Sequence, residues 1–161
     1  MAIIDKNVAL IQQACKKTHN YNLCVSSLKS DPRGLKADLK DLVVIMMDIA
    51  LVKSIKISEL IIKLNKTVSD PYVRSSFHVC SSLYDDSKVS LQEAIDAFES
   101  NSYKESYEQL GSAASGPGEC EDTFAEPPAS KSPLTAVGAD LCSLITIAED
   151  ILSMVMKLKS P

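Results

Sequence analysis

The residues in this 161-residue chain that could do chemistry are five cysteines, two histidines and a few acidic clusters. The cysteines stand at positions 15, 24, 80, 120 and 142. Thiols can bridge one another, hold a metal or attack a substrate, and spacing discriminates among these uses. No Cys-x-x-Cys pair occurs, and the interval from Cys15 to Cys24 is too wide for a zinc knuckle. A di-metal helical bundle needs a glutamate three residues before a histidine, but those places hold Lys16 before His19 and Ser75 before His78. The chain also contains no Gly-x-Ser-x-Gly, no glycine-rich phosphate loop and no His-Glu-x-x-His. We therefore expect neither a metal nor another cofactor, and no catalysis.

The remaining polar clusters read as surface. Asp85-Asp86 and Glu119-Cys120-Glu121-Asp122 have no partner that would raise a carboxyl pKa for acid-base work. Lys53, Lys56, Lys63 and Lys66 share one face of a helix, which reads as a solvated basic stripe. Asn65-Lys66-Thr67 fits the acceptor pattern for N-glycosylation, a pattern that matters if the chain is secreted.

The elements that must position these groups are helices. No run alternates strictly between apolar and polar residues with hairpin signals at its ends, whereas steps of three and four recur throughout. Ile4, Val8, Ile11 and Cys15 mark a first helix, which ends at the polar cluster 16–20. A second runs from about Tyr21 to Leu28 with Cys24 facing inward. Ser30-Asp31-Pro32-Arg33-Gly34 is a boundary. A long third helix is expected over 35–66, with Leu35, Leu39, Leu42, Met46, Ile49, Ile57, Leu60 and Leu64 as its seam. Ser69-Asp70-Pro71 starts a fourth, whose stripe Val73, Phe77, Cys80, Tyr84, Ser87, Leu91, Ala94 and Phe98 is the cleanest heptad in the chain. A fifth begins at Tyr103 and runs to about Phe124, with a kink or division expected at Gly116-Pro117-Gly118. The sixth follows Ser132-Pro133 and carries Leu141, Leu144, Ile145, Ala148, Ile151, Leu152 and Val155.

The fold expected is thus all-α: a four-helix up-and-down bundle over 31–158, preceded by an N-terminal α-helical hairpin over 3–30, in one domain spanning 1–161. Placed on these helices, Cys15 and Cys24 flank the hairpin turn, which would bring their Cα atoms to about 5 to 6 Å. Cys80 and Cys120 lie about equally far from the turn at Asn101, on helices that run antiparallel. Cys142 sits beside the apolar stripe of the last helix and reads as a free, buried small hydrophobe. The competing reading is five reduced thiols in a cytosolic protein.

Composition bounds the rest. The net charge of −4 argues against nucleic acid, which requires a concentrated positive face. Hydrophobic residues are 45% and Trp is absent, so Leu, Ile, Val, Ala and Met must fill the core. Neither apolar stretch, Leu42 to Val52 with Asp48 inside it or Leu141 to Leu158 with Glu149 and Asp150, reaches the roughly 20 apolar residues that a bilayer span needs. The start, Met1-Ala2-Ile3-Ile4-Asp5, lacks the pattern of a secretory signal, so the chain reads either as intracellular or as a mature form.

These residues resemble the plant invertase and pectin methylesterase inhibitor family, which includes the plane-tree pollen allergen type. The resemblance rests on Cys15-Lys16-Lys17-Thr18 leading to Tyr21-Asn22-Leu23-Cys24, and on Ser30-Asp31-Pro32-Arg33 with Ala37-Asp38-Leu39. It continues through Cys80 with Tyr84, Gln92-Glu93-Ala94-Ile95, and Glu119-Cys120-Glu121-Asp122 with Phe124. It implies a secreted protein of the cell wall, with the vacuole as an alternative, that blocks a carbohydrate-active enzyme through a reversible one-to-one complex. It also implies disulfides Cys15–Cys24 and Cys80–Cys120, the pairs reached above from helix placement.

For the target, the resemblance points both ways. Invertase inhibitors of this type present a Pro-Lys-Phe turn, and the corresponding place, seventeen residues before Cys120, holds Tyr103-Lys104-Glu105. Only the lysine matches. Glu119 before the fourth cysteine is seen in some invertase inhibitors, where the pectin type often has Thr. Tyr103 fits the pectin and pollen types, so pectin methylesterase is slightly favoured over acid invertase. Tyr103, Lys104, Glu105, Asp85, Asp86 and Glu119 are the candidate target contacts. A bundle that binds a small apolar ligand or lipid, or a cytosolic scaffold, are the more distant alternatives, and the close heptad of 73–98 gives no sign of a cavity.

Overall fold

The computed structural model describes residues 2–159, with side chains described for 7–158; Ile4 in the first apolar stripe lies outside the described side chains. Helices α1 (Ala2–Lys16) and α2 (Tyr21–Ser30) form a hairpin. A single 3-10 turn (Gly34–Lys36) leads to α3 (Leu39–Asn65), α4 (Pro71–Glu99), α5 (Tyr103–Ala125) and α6 (Thr135–Lys159). Helix α3 packs against α4 and α6, and α5 packs against the same two, which closes the bundle.

Helix starts follow from side chains that satisfy orphan backbone donors. Asn20 Oδ1 accepts from the Leu23 amide at 3.2 Å, and Asp70 Oδ1 from the Tyr72 amide at 2.8 Å, with Pro71 at the first helical position. The third helix begins later than its apolar period suggests. Ala37 is extended, and Asp38 and Asp41 bond each other's backbone amides in a reciprocal box, so α3 starts at Leu39 rather than Leu35. Its inner face also turns slightly: Ile57 and Ile61 are buried, while Leu60 and Leu64 are half-buried. An α3 wedged between two neighbours buries a broad face rather than one a/d line.

Helix α5 is continuous through Gly116-Pro117-Gly118 and is not divided there. Gly116 is the reason it can lie so close to α4. A Cβ at that position would meet Ser87 Oγ at 2.4 Å and the Leu83 carbonyl at 3.1 Å.

The core is contiguous and aliphatic. Leu42, Met46, Leu91, Leu110, Ile145 and Leu152 are fully buried, and Phe77 meets Phe124 edge-on at 5.7 Å. The hairpin is tied to this core at two points. The His19 amide and Nδ1 both meet Asp150 Oδ2 on α6, at 3.2 and 3.0 Å. Arg33 holds Asp31 through two guanidinium nitrogens and reaches Asp48 on α3 at 2.8 Å. At Gly34 a Cβ would run into the Leu28 carbonyl at 1.9 Å, so only glycine lets the linker cross the end of α2.

Candidate functional site

Two covalent bonds set the geometry. Cys15 joins Cys24 with Cα atoms 5.5 Å apart, and Cys80 joins Cys120 at 4.8 Å. The second belongs to a regular seam. Cys80 meets Cys120, the Ser87 hydroxyl donates to the Ala113 carbonyl at 2.8 Å, and the Ser106 hydroxyl donates to the Ala94 carbonyl at 2.7 Å. Steps of seven along α4 are answered by steps of seven back along α5, so the two helices keep one register from the disulfide to the turn that joins them.

That register delivers a defined tip. Asn101 takes φ 62, in the left-handed region that asparagine tolerates, and reverses the chain between α4 and α5. The Tyr103 ring lies over Phe98 with centroids 5.0 Å apart, and its hydroxyl bonds Asn101 Oδ1 at 3.1 Å. Tyr103 is half-buried as a result, while Lys104 and Glu105 are exposed. The tyrosine closes the tip instead of projecting from it, which leaves the lysine and the glutamate as its outward groups.

The other candidate contacts divide between two faces. Asp85 Oδ1 accepts from the Ser58 hydroxyl on α3 at 3.3 Å and pairs with the Lys88 ammonium on its own helix at 2.9 Å, while the Asp85 side chain stays 57% exposed. Asp86 on α4 and Glu119 on α5 are exposed. Asp85 is exposed like them, with its carboxylate paired to Lys88. Helix α5 exposes Glu105, Glu108, Glu119 and Asp122 against the single cation Lys104, so its outer surface attracts a basic partner.

Between α4, α5 and α6 lies a polar cluster that sequence reasoning did not find. The Thr135 hydroxyl donates to Glu121 Oε1, while Glu121 Oε2 is buried without a partner. Burial pushes the Tyr84 hydroxyl pKa up, and the nearby Cys142 and Glu121 add to it. Cys142 is a free thiol that is half-buried, not fully buried, because it faces the α5 backbone and donates to the Ala114 carbonyl at 3.5 Å. Burial raises its pKa, which favours the protonated thiol over the thiolate. Asn65 ends α3 with Oδ1 buried, and the Thr67 hydroxyl donates to the Leu64 carbonyl. Among the described residues no three His, Cys, Asp or Glu side chains converge as metal ligands would.

The profile of one family, the plant invertase/pectin methylesterase inhibitors, matches residues 9–151. The chain belongs to this family. Its relatives carry both kinds of name. A pectinesterase inhibitor of Actinidia deliciosa is 33% identical over 146 residues, covering 89% of this chain and 79% of the relative. A protein of Platanus orientalis whose name points to invertase inhibition is 34% identical over 145 residues, covering 86% and 85%. A cell wall / vacuolar inhibitor of fructosidase of Arabidopsis thaliana is 31% identical over 121 residues, covering 74% and 67%. The fold is that of a pectin methylesterase inhibitor from Arabidopsis solved in a mutant form, with a TM-score of 0.75 at 19% identity over 89% of this chain and 95% of that one.

The proteins of this family are non-enzymatic inhibitors. Similarity does not separate the two targets, since relatives of each name stand at nearly the same identity. No helix among the described residues is long and apolar enough to cross a membrane.

Proposed function

We propose that this protein inhibits a plant pectin methylesterase in the cell wall, as one domain without catalysis of its own, through a reversible one-to-one complex. The observation that carries the choice of target is the α4–α5 tip. Invertase inhibitors of this type offer Pro-Lys-Phe there, a turn fixed by proline with an aromatic after the lysine. Here the aromatic precedes the lysine and is spent on Phe98 and Asn101. Glu105 follows the lysine and would face the carboxylates of an invertase site, where like charges oppose binding.

The acidic outer surface of α5 supports the same reading, with Asp86 and Glu119 as contacts toward a basic rim on the enzyme. The two disulfides fit an oxidising compartment such as the cell wall. The test is to titrate the purified, oxidised protein against a plant pectin methylesterase and an acid invertase, with complex stoichiometry read by size-exclusion chromatography with light scattering. Inhibition of the esterase in a one-to-one complex, with the invertase little affected, is expected. Tight inhibition of the invertase with an untouched esterase overturns the target.

A further inference from the structure

Helix α1 rests on α3 and α6 and, among the described residues, does not pack against α4 or α5. Between the second half of α1, the start of α3 and the end of α6 lies a solvent-open groove of about 260 Å³. Its apolar lining is Leu10 and Ala14 of α1, Leu39 of α3, and Met154 and Leu158 of α6. Leu10, Leu39 and Met154 are half-buried, whereas Leu158 is 76% exposed, so one wall of the groove is an uncovered leucine. The charged groups that line it are Lys17 and Lys157, from two different helices; both are exposed and neither forms an ion pair. No acid lines it among the described side chains. Asp38, beside Leu39, accepts from the Asp41 amide to cap α3, and Asp150, one turn before Met154, is held by His19. The grooves along the outer side of α3 mix signs instead: one has Arg33 and Lys36 with Asp41 and Glu99, the other Lys53 and Lys56 with Asp31 and Asp48. This groove alone of the three joins an apolar floor to a purely cationic rim.

We propose that it binds a medium-chain carboxylate, an unbranched aliphatic chain with one anionic head. The chain lies on Leu10, Leu39, Met154 and Leu158, and the carboxylate takes the ammonium groups at the rim. The size of the groove sets the length. From Leu10 to Lys17 the α1 wall runs about 10 Å at 1.5 Å per residue, the span of an extended chain of about eight to ten carbons. Charge sets the head, since a neutral amphiphile makes no use of the lysines and a cationic one is repelled by them. An acidic amphipathic helix of a protein partner is too large: one turn with its side chains, about 11 Å across and 5.4 Å long, fills about 500 Å³. An inorganic anion leaves the leucines uncovered. The site lies at the junction of the hairpin with the bundle, so it leaves the α4–α5 tip and the outer face of α5 free. It does not depend on which enzyme the protein inhibits.

The test titrates the full, oxidised chain with sodium octanoate and, in parallel, with decanoate, octanol and octyltrimethylammonium, all below their micelle concentrations, and follows backbone-amide NMR shifts. The expected result is saturable shifts clustered at 10–17, 39 and 154–158, with Kd for octanoate about 1 mM or tighter. Decanoate should bind about tenfold tighter, the gain from burying two more methylenes. Octanol should bind about fivefold more weakly than octanoate, and octyltrimethylammonium more weakly still. Lys17→Gln combined with Lys157→Gln should weaken octanoate about fivefold and leave octanol unchanged. Leu158→Gln, at an exposed position, should weaken both. Equal affinity for the three head groups, no gain from octanoate to decanoate, shifts centred elsewhere or without saturation, or indifference of octanoate to the paired lysine changes in a folded protein each overturns the proposal.

Discussion

The Ser87 hydroxyl donates to the Ala113 carbonyl across the α4–α5 seam at 2.8 Å, and the reason lies four residues further along α5. Pro117 has no amide hydrogen, so it cannot supply the helical bond that the Ala113 carbonyl would otherwise receive. Ser87 supplies it from the neighbouring helix, and Cys142 reaches the next carbonyl, at Ala114, from the other side. A proline that would break an isolated helix is thereby absorbed into a bundle.

This arrangement makes a double-mutant prediction. Ser87→Ala leaves a buried carbonyl without a donor and is expected to cost about 1 to 3 kcal/mol. Pro117→Ala returns an amide to that carbonyl, so in its background Ser87→Ala should cost clearly less, a coupling of about 1 kcal/mol. Urea unfolding of the four proteins measures it. An identical cost of Ser87→Ala in both backgrounds would falsify the account.

The disulfides predict an intact mass four hydrogens below that of the fully reduced chain. They also predict one thiol, Cys142, that reacts with a thiol reagent slowly in the folded protein and readily in denaturant. By loop-closure entropy, losing Cys15–Cys24 should cost about 2 to 3 kcal/mol and losing Cys80–Cys120 somewhat more. Mass spectrometry with and without reductant, followed by thermal melts of the Cys→Ser pairs, checks both statements.

Packing at the heptad is open to a direct measurement. Phe77 and Leu91 are 2% and 0% exposed, and Phe77→Ala or Leu91→Ala should cost roughly 2 to 5 kcal/mol. At Glu93, exposed on the outer side of the same helix, an alanine should change stability by about 0.5 kcal/mol or less. Seam losses as small as the surface loss would mean that this heptad does not face the core.

Arg33 makes the acid limb of stability sensitive to one residue. Its side-chain hydrogen bonds to Asp31 hold that carboxyl below the usual value of 3.8. A folded-state value below the unfolded one stabilises above about pH 4, and the contribution fades as pH falls through the folded value. Arg33 is half exposed, so the effect is small, about 1 kcal/mol or less. Stability measured from pH 7 to pH 2 should fall less steeply at the acid end in Arg33→Gln. A parallel curve for wild type and variant sinks the argument.

The tip decides the target prediction. Replacing Tyr103-Lys104-Glu105 with Pro-Lys-Phe frees Phe98 from its partner, supplies the fixed turn and removes the like charge. Inhibition of acid invertase should rise by about tenfold or more. Parallel dose-response curves against invertase and pectin methylesterase are the measurement, and an unchanged invertase curve in a folded variant would show that the tip does not set specificity.

The sequence by itself determined the class of fold, the number of helices and most of their boundaries. Those features depend on interactions within a few residues: Asp70-Pro71 starts α4 because a side chain and a ring act on adjacent amides, and the steps of three and four from Val73 to Phe98 mark one face by helical geometry alone. The cysteine framework was legible for the same reason, since helix register fixes the height of each thiol. Where the pattern was ambiguous, the local chemistry that decided it was weak. Asp41 in place of the usual glutamate hid the box that starts α3 at Leu39, and the extended Ala37 left no signature. Tertiary structure alone decided the rest, because those features need two distant segments to be within a few ångströms. Whether Pro117 divides α5 depended on Ser87, and whether Tyr103 projects or folds depended on Phe98.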